Sequence, residues 1–143
     1  MLEPQSRETD ARQYSPLSLA YLGDVVYELL VREQMMFRAN MPVQKLHHNT
    51  VSWVCAHAQS QAMEVLLPLL TEEELSVYKR GRNATSHVPK HAQVADYRRA
   101  TGLEALFGYL YLKGDSPRIH LLFETIWQAF DFDGFREASQ KTV

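Results

Sequence analysis

The chain reads as an all-α protein, and three observations say so. Only 6 glycines and 6 prolines are scattered through 143 residues, long windows carry apolar residues at three-and-four spacing, and helix start signals stand where those windows begin. Ser15-Pro16 opens the first long helix, with a hydroxyl cap followed by a proline in the first turn, where a missing N–H is harmless. That helix is expected to run to about Phe37, and Asn40, Met41 and Pro42 interrupt it. A second helix is expected from Val43 to His47. A third, from about Thr50 to Leu67, carries Val51, Val54, Cys55, Ala58, Ala62 and Val65 on one stripe, and Pro68 closes it. Thr71 with Glu72, Glu73 and Glu74 forms a capping box before a helix to about Arg80. Residues 81–91 read as a loop, because turn formers and Pro89 replace apolar periodicity. Val94 to Lys113 forms the next helix, and Ser116-Pro117 starts the last, which ends near Phe130. The tail after Asp131 is expected to fray. Residues 1–143 form a single domain on this reading, with a core spanning about 15–130.

Hydrophobic residues make up 45% and charged residues 22% of the chain, a globular composition that excludes disordered and fibrous classes. A domain of this size buries roughly 70% of its unfolded surface, so its core needs no staples. Cys55 is the only cysteine, which excludes an intrachain disulfide or a cysteine zinc site and makes the cytoplasm the expected compartment. The polar opening MLEPQSRETDAR is unlike a signal peptide.

Two acids stand where acids are unfavourable. The first helix has a core stripe of Leu19, Leu22, Val26, Leu29 and Leu30, yet Leu17, Ala20, Tyr27 and Val31 surround Asp24 on the other side. Asp24 should therefore be at least partly enclosed, and an enclosed carboxylate must be neutralised, paired or bound to a cation. In the apolar helix from Ala100 to Leu112 the one charge is Glu104, flanked on its face by Ala100 and Gly108, small residues that let another helix approach closely. Two such acids suggest one shared divalent site of oxygen ligands, of the Mg²⁺ kind. The competing reading is structural, each acid pairing with an arginine such as Arg32 or Arg99. Glu28, four residues after Asp24, is a candidate to orient a metal-bound water.

Six of the 15 basic residues and one of the 17 acidic ones fall between Lys79 and Arg99, so a segment of charge +5 sits in a remainder of −7. Lys79, Arg80, Arg82, Lys90, Arg98 and Arg99 are the candidate phosphate contacts, with Asn83, Thr85 and Ser86 as hydrogen-bonding neighbours. His87 and His91 lie in the same stretch. The six histidines have no metal-ligand spacing, Cys55 reads as a small core residue, and Trp53 and Trp127 as packing anchors. The first helix has more apolar sides than one chain can cover, which makes Leu17, Tyr21 and Val25 the candidate face of a homodimer.

Leu19-Ala20-Tyr21-Leu22-Gly23-Asp24-Val25-Val26 resembles the L-x-F-L-G-D-x-V segment of the ribonuclease III catalytic domain, and Glu104-Ala105-Leu106-Phe107-Gly108 resembles its E-A-L-I-G segment. With Lys79-Arg80-Gly81-Arg82-Asn83-Ala84 and Tyr97-Arg98-Arg99-Ala100-Thr101, the pattern resembles Mini-ribonuclease III, the subgroup with no double-stranded-RNA-binding domain. Larger members carry further acids seven and four residues before the aspartate and three before the second glutamate. Here those places hold Leu17, Ala20 and Thr101, so fewer protein ligands remain and Thr101 stands behind the metal ligands. The resemblance implies the helical ribonuclease III endonuclease fold, a homodimer, and Mg²⁺-dependent hydrolysis of double-stranded RNA with Asp24 and Glu104 as catalytic metal ligands. It implies precursor 23S ribosomal RNA as substrate, a role compatible with a ribosomal-protein accessory. The alternative is a catalytically silent helical RNA-binding or adaptor module.

Overall fold

The computed structural model describes residues 2–6, 9–84 and 87–131. These form six α-helices, α1 (Pro16–Arg38), α2 (Val43–Val54), α3 (Ala56–Leu66), α4 (Glu72–Ala84), α5 (Val94–Lys113) and α6 (Ser116–Asp131), with short 3₁₀ turns at Ala11–Gln13 and Leu67–Leu69. No strand occurs among the described residues, and no described helix is long and apolar enough to cross a membrane. The tail expected to fray lies outside the described residues.

The caps form as their chemistry requires. Ser15 Oγ accepts the Ser18 N–H at 3.1 Å, with Pro16 in the first turn of α1. At α4 the Thr71 N–H donates to Glu74 Oε1 at 2.9 Å, and the Glu74 N–H to Thr71 Oγ1 at 3.1 Å. Glu74 is buried, and Arg118 of α6 donates to both its carboxylate oxygens at 2.8 Å and to the Leu69 carbonyl at 2.8 Å. One ion pair thus ties the last helix to the start of α4. Gly114, at φ 82°, closes α5 in the left-handed conformation that glycine adopts without penalty.

Three expectations are corrected. The break between the second and third helices falls at Cys55, with ψ 158°, rather than before Thr50. Asn49 and Thr50 are buried, and the Thr50 hydroxyl donates to the Leu46 carbonyl at 2.8 Å, so the helix continues until Trp53 stacks on Trp127 with ring centroids 4.2 Å apart. Cys55, as the linking residue, is exposed rather than in the core. The helix expected to stop near Arg80 runs to Ala84, because Gly81 serves close packing instead of a turn: a Cβ there would stand 2.7 Å from the Ala105 Cβ.

Helix α5 is the centre of the molecule and packs against α1, α3, α4 and α6. From Ala100 to Leu110 every residue is buried except Glu104, which is half-buried. Its contact with α1 is unusually close. A Cβ on Gly23 would fall 1.6 Å from the Glu104 carbonyl oxygen, and one on Gly108 would fall 2.0 Å from the Leu19 carbonyl oxygen. Two facing glycines let the backbones touch, which fixes the crossing and the residues beside it. Gly108→Ala should therefore force α1 and α5 apart and lower stability by about 3 kcal/mol. Urea unfolding of the variant checks this, and a wild-type midpoint would contradict backbone contact at the crossing.

Candidate active site

Asp24 follows Gly23 on α1, and Glu104 lies one turn before Gly108 on α5, so the glycine crossing brings the two acids together. They share a hydrogen bond, and burial first, then the negative charge of Asp24, pushes the Glu104 carboxyl up to about 8. A hydrogen bond from Gln59 of α3 acts in the opposite direction. The acids line a cleft of about 280 Å³ with Ala20, Tyr97, Thr101 and His87 among its walls. Asp24 itself is exposed, not enclosed as its helical wheel suggested. The reason is that its neighbours Leu17, Tyr21 and Val25 stay open in the single chain, at 48%, 83% and 64% exposure.

The arginines that could have neutralised these acids are engaged elsewhere. Arg32 closes on Glu28 at 2.7 Å, within α1. Arg99 reaches Glu64 at 3.4 Å and Ser60 Oγ at 3.5 Å, bridging α5 to α3. The structural reading of Asp24 and Glu104 thus loses both of its candidate partners, and Glu28 is committed to Arg32. Thr101 is buried at the cleft, where its hydroxyl donates to the Tyr97 carbonyl at 3.0 Å and leaves its oxygen lone pairs available. Two close carboxylates, one held protonated by burial and repulsion, form a donor set for a hard cation that takes oxygen ligands. Among the described residues no group of three or more His, Cys, Asp or Glu could hold a metal. A cation on Asp24 and Glu104 would keep water or substrate oxygens in most of its coordination positions, a habit of Mg²⁺.

The basic segment is divided in two. Lys79, Arg80 and Asn83 are exposed on α4, Lys90 is exposed in the turn that follows, and Arg98 is exposed on α5. Arg82 lies over the Tyr78 ring at 5.6 Å and donates to Asn83 at 3.2 Å, while Arg99 is held by Glu64. Thr85 and Ser86 lie outside the described residues. Sequence reasoning quoted Tyr97 only as part of a motif, without a place in the site, and passed over Gln59. For Gln59 a signal existed, since it is a polar residue among Ala56, Ala58 and Ala62 of α3.

A family model described as "Ribonuclease III domain" matches residues 17–115. A Mini-ribonuclease 3 of Symbiobacterium thermophilum is 48% identical over 118 residues, covering 82% of this chain and 88% of its own. One of Brevibacillus brevis is 42% identical over 130 residues, covering 90% and 95%. A crystal structure of a Fusobacterium nucleatum protein superposes with TM-score 0.77 at 30% identity, over 85% of this chain and 98% of that one. On this coverage and identity the chain belongs to the ribonuclease III family of endoribonucleases, in its Mini-ribonuclease 3 branch.

Proposed function

We propose that this chain is a Mg²⁺-dependent endoribonuclease that cuts double-stranded RNA as a homodimer in the cytoplasm, with precursor 23S ribosomal RNA as its substrate. A ribosomal-protein accessory is compatible with that substrate. The observation that carries the reading is the meeting of Asp24 and Glu104 across the glycine crossing, with Arg32 and Arg99 paired to other acids. Residues 1–143 act as one catalytic domain in this proposal.

Asp24 and Glu104 would hold the ion. When bound, Mg²⁺ lowers the pKa of a coordinated water and stabilises negative charge on the scissile phosphate. The chain's own residues do the rest. Glu104 would release its proton to solvent water as the ion binds, leaving its carboxylate and that of Asp24 as the two oxygen ligands. Thr101 lines the cleft behind them, and Glu28, through its pair with Arg32, braces the outer side of α1 one turn from Asp24. Lys79, Arg80, Arg82, Asn83, Lys90, Arg98 and Arg99 form the basic side. The exposed members meet phosphates directly, while Arg82 and Arg99 act from their anchored positions.

Four measurements test the proposal. Asp24→Asn and Glu104→Gln should each abolish Mg²⁺-dependent cleavage of long double-stranded RNA while helix content persists. Wild-type rates in both would remove these residues from the mechanism, and an intact protein that binds but never cuts would favour the silent module. The same variants report on charge. Because the Glu104 carboxyl keeps its proton up to about pH 8 when folded but loses it near 4.5 when unfolded, metal-free stability should fall as pH rises between those values and level off above. Glu104→Gln should flatten that slope.

Each phosphate contact adds about 0.7–0.9 to the salt slope of RNA binding through counterion release. Replacing Arg80, Arg82 and Lys90 together by alanine should lower the slope by up to about 2–3 on that scale, and an unchanged slope would put the patch off the RNA path.

The exposed stripe of Leu17, Tyr21 and Val25 beside the acids supports a two-fold interface, in which one substitution is introduced twice. Tyr21→Glu or Val25→Arg should give monomers that fail to cut both strands. Light scattering decides the assembly: an active wild-type species of 16.5 kDa would refute the dimer.

A further inference from the structure

The cleft holds a phenol that the metal chemistry leaves without a role. Two helical stripes line it, with Leu17, Ala20, Tyr21 and Asp24 from α1 and Tyr97, Thr101 and Glu104 from α5, and His87 joins them from the segment between α4 and α5. The three α5 residues stand at positions i, i+4 and i+7, which places them on one face of the helix. Tyr97 thus shares a wall with the proposed metal ligand Glu104, two turns ahead of it.

The fold holds this residue in place without using its hydroxyl. The Tyr97 N–H donates to the Gln93 carbonyl at 3.0 Å, and the Tyr97 carbonyl accepts the Thr101 hydroxyl at 3.0 Å. The side chain is half-buried, and among the described residues its phenol oxygen has no hydrogen-bond partner. The other polar groups of the cleft are committed or loosely held. Asp24 and Glu104 take the cation in the proposed site, Thr101 has given its proton to the Tyr97 carbonyl, and Tyr21 is 83% exposed on the stripe assigned to the dimer. His87 is exposed and lies outside the helices. Tyr97 is then the cleft's helix-borne group that is free both to donate and to accept.

A ribose 2′-hydroxyl calls for both abilities. It donates and accepts, and it is the group by which a protein tells RNA from DNA. It also sits on the carbon next to the one whose oxygen carries the phosphate, so a strand whose phosphate is held at Asp24 and Glu104 brings a ribose hydroxyl to the same wall. We propose that Tyr97 is the specificity residue of this cleft: its phenol hydroxyl bonds the 2′-hydroxyl of a nucleotide flanking the scissile phosphate, which makes cleavage selective for ribose at that position. The inference rests on the endoribonuclease reading of the cleft and goes beyond it by naming the group that reads the sugar. Phosphate contacts from the basic side position the strand but cannot make this distinction, because DNA presents the same phosphates.

The test is a double-mutant cycle between protein and RNA. The cut in an all-ribose duplex is mapped first, and two further duplexes each carry a single 2′-deoxynucleotide, one on either side of that cut. The unmodified protein should cleave one of the two about 10-fold more slowly in kcat/KM than the all-ribose duplex, the weight of one lost hydrogen bond. Tyr97→Phe keeps the ring and removes only the hydroxyl. It should lose about the same 10-fold on the all-ribose duplex, lose nothing further on the deoxy duplex, and keep the wild-type thermal midpoint, since the hydroxyl bonds nothing in the protein. Losses that multiply instead, or a wild type indifferent to both deoxy positions, would overturn the assignment. A lowered midpoint would overturn it too, by giving the hydroxyl a role inside the protein. So would loss of the ribose preference in His87→Ala with its persistence in Tyr97→Phe. The outcomes separate the two layers. If the unmodified protein with Mg²⁺ fails to cut the all-ribose duplex, the endoribonuclease reading falls, whereas cutting without ribose preference removes Tyr97 alone.

Discussion

The contact of two helix backbones at Gly23 and Gly108 governs the arrangement of everything around it. A glycine inside a helix costs about 1 kcal/mol relative to alanine, and this chain places one in each of its two central helices, at the same crossing. What the molecule obtains is an approach that any side chain would block, since a Cβ on either glycine would overlap a carbonyl oxygen of the other helix. The acids follow from that geometry. Asp24 is adjacent in sequence to one glycine and Glu104 is a turn away from the other, so neither can be far from the crossing. A second close crossing repeats the device on the other side of α5, where Gly81 of α4 faces Gly102 and Ala105. It brings the basic helix against the same central element that carries Glu104.

Partner choice separates this pair of acids from the others that pack against the body. Glu28 has Arg32, Glu64 has Arg99, Glu74 has Arg118, and Asp96 has His57. Glu73 accepts from the Tyr109 hydroxyl and lies 3.5 Å from the Lys113 ammonium. Each of these pairs joins two turns or two helices and supports the fold. Asp24 and Glu104 instead face each other, an arrangement in which burial and the charge of Asp24 both oppose ionisation of Glu104. An acid pair maintained against its own repulsion makes physical sense when a cation supplies the missing charge, and the neighbouring arginines have been directed elsewhere.

The apolar stripe of α1 belongs to the same design. Tyr21 and Val25 are more than half exposed within one turn of Asp24, while the opposite side of the helix, at Leu19, Val26 and Leu30, is fully packed. A helix that is apolar on both sides but covered on one has a free face beside its charged residue. In the proposed dimer that face is closed by its own symmetry mate, which places two clefts in fixed relation and lets a single small domain act on both strands of a duplex.

Much of this was legible in local chemistry. The all-α class, the start of α1 at Ser15-Pro16, the capping box at Thr71 and Glu74, the lone acids in apolar helices and the small residues at Gly108 depend on spacing and on near neighbours, and these survive in any reading of the chain. The misread helix bounds and the misplaced Cys55 share one origin, which is the packing of elements distant in sequence. The break after Val54 was decided by Trp53 reaching Trp127, the extension of α4 past Arg80 by Gly81 lying against α5, and the exposure of Cys55 by its place at a turn rather than on a stripe. Whether an acid pairs with an arginine or with another acid could not be settled from helical wheels, because Arg32 and Arg99 each had several acids within plausible reach. Periodicity and capping are properties of one helix and are written along it, whereas the meeting of two carboxylates depends on two helices crossing, and only the packed molecule decides that.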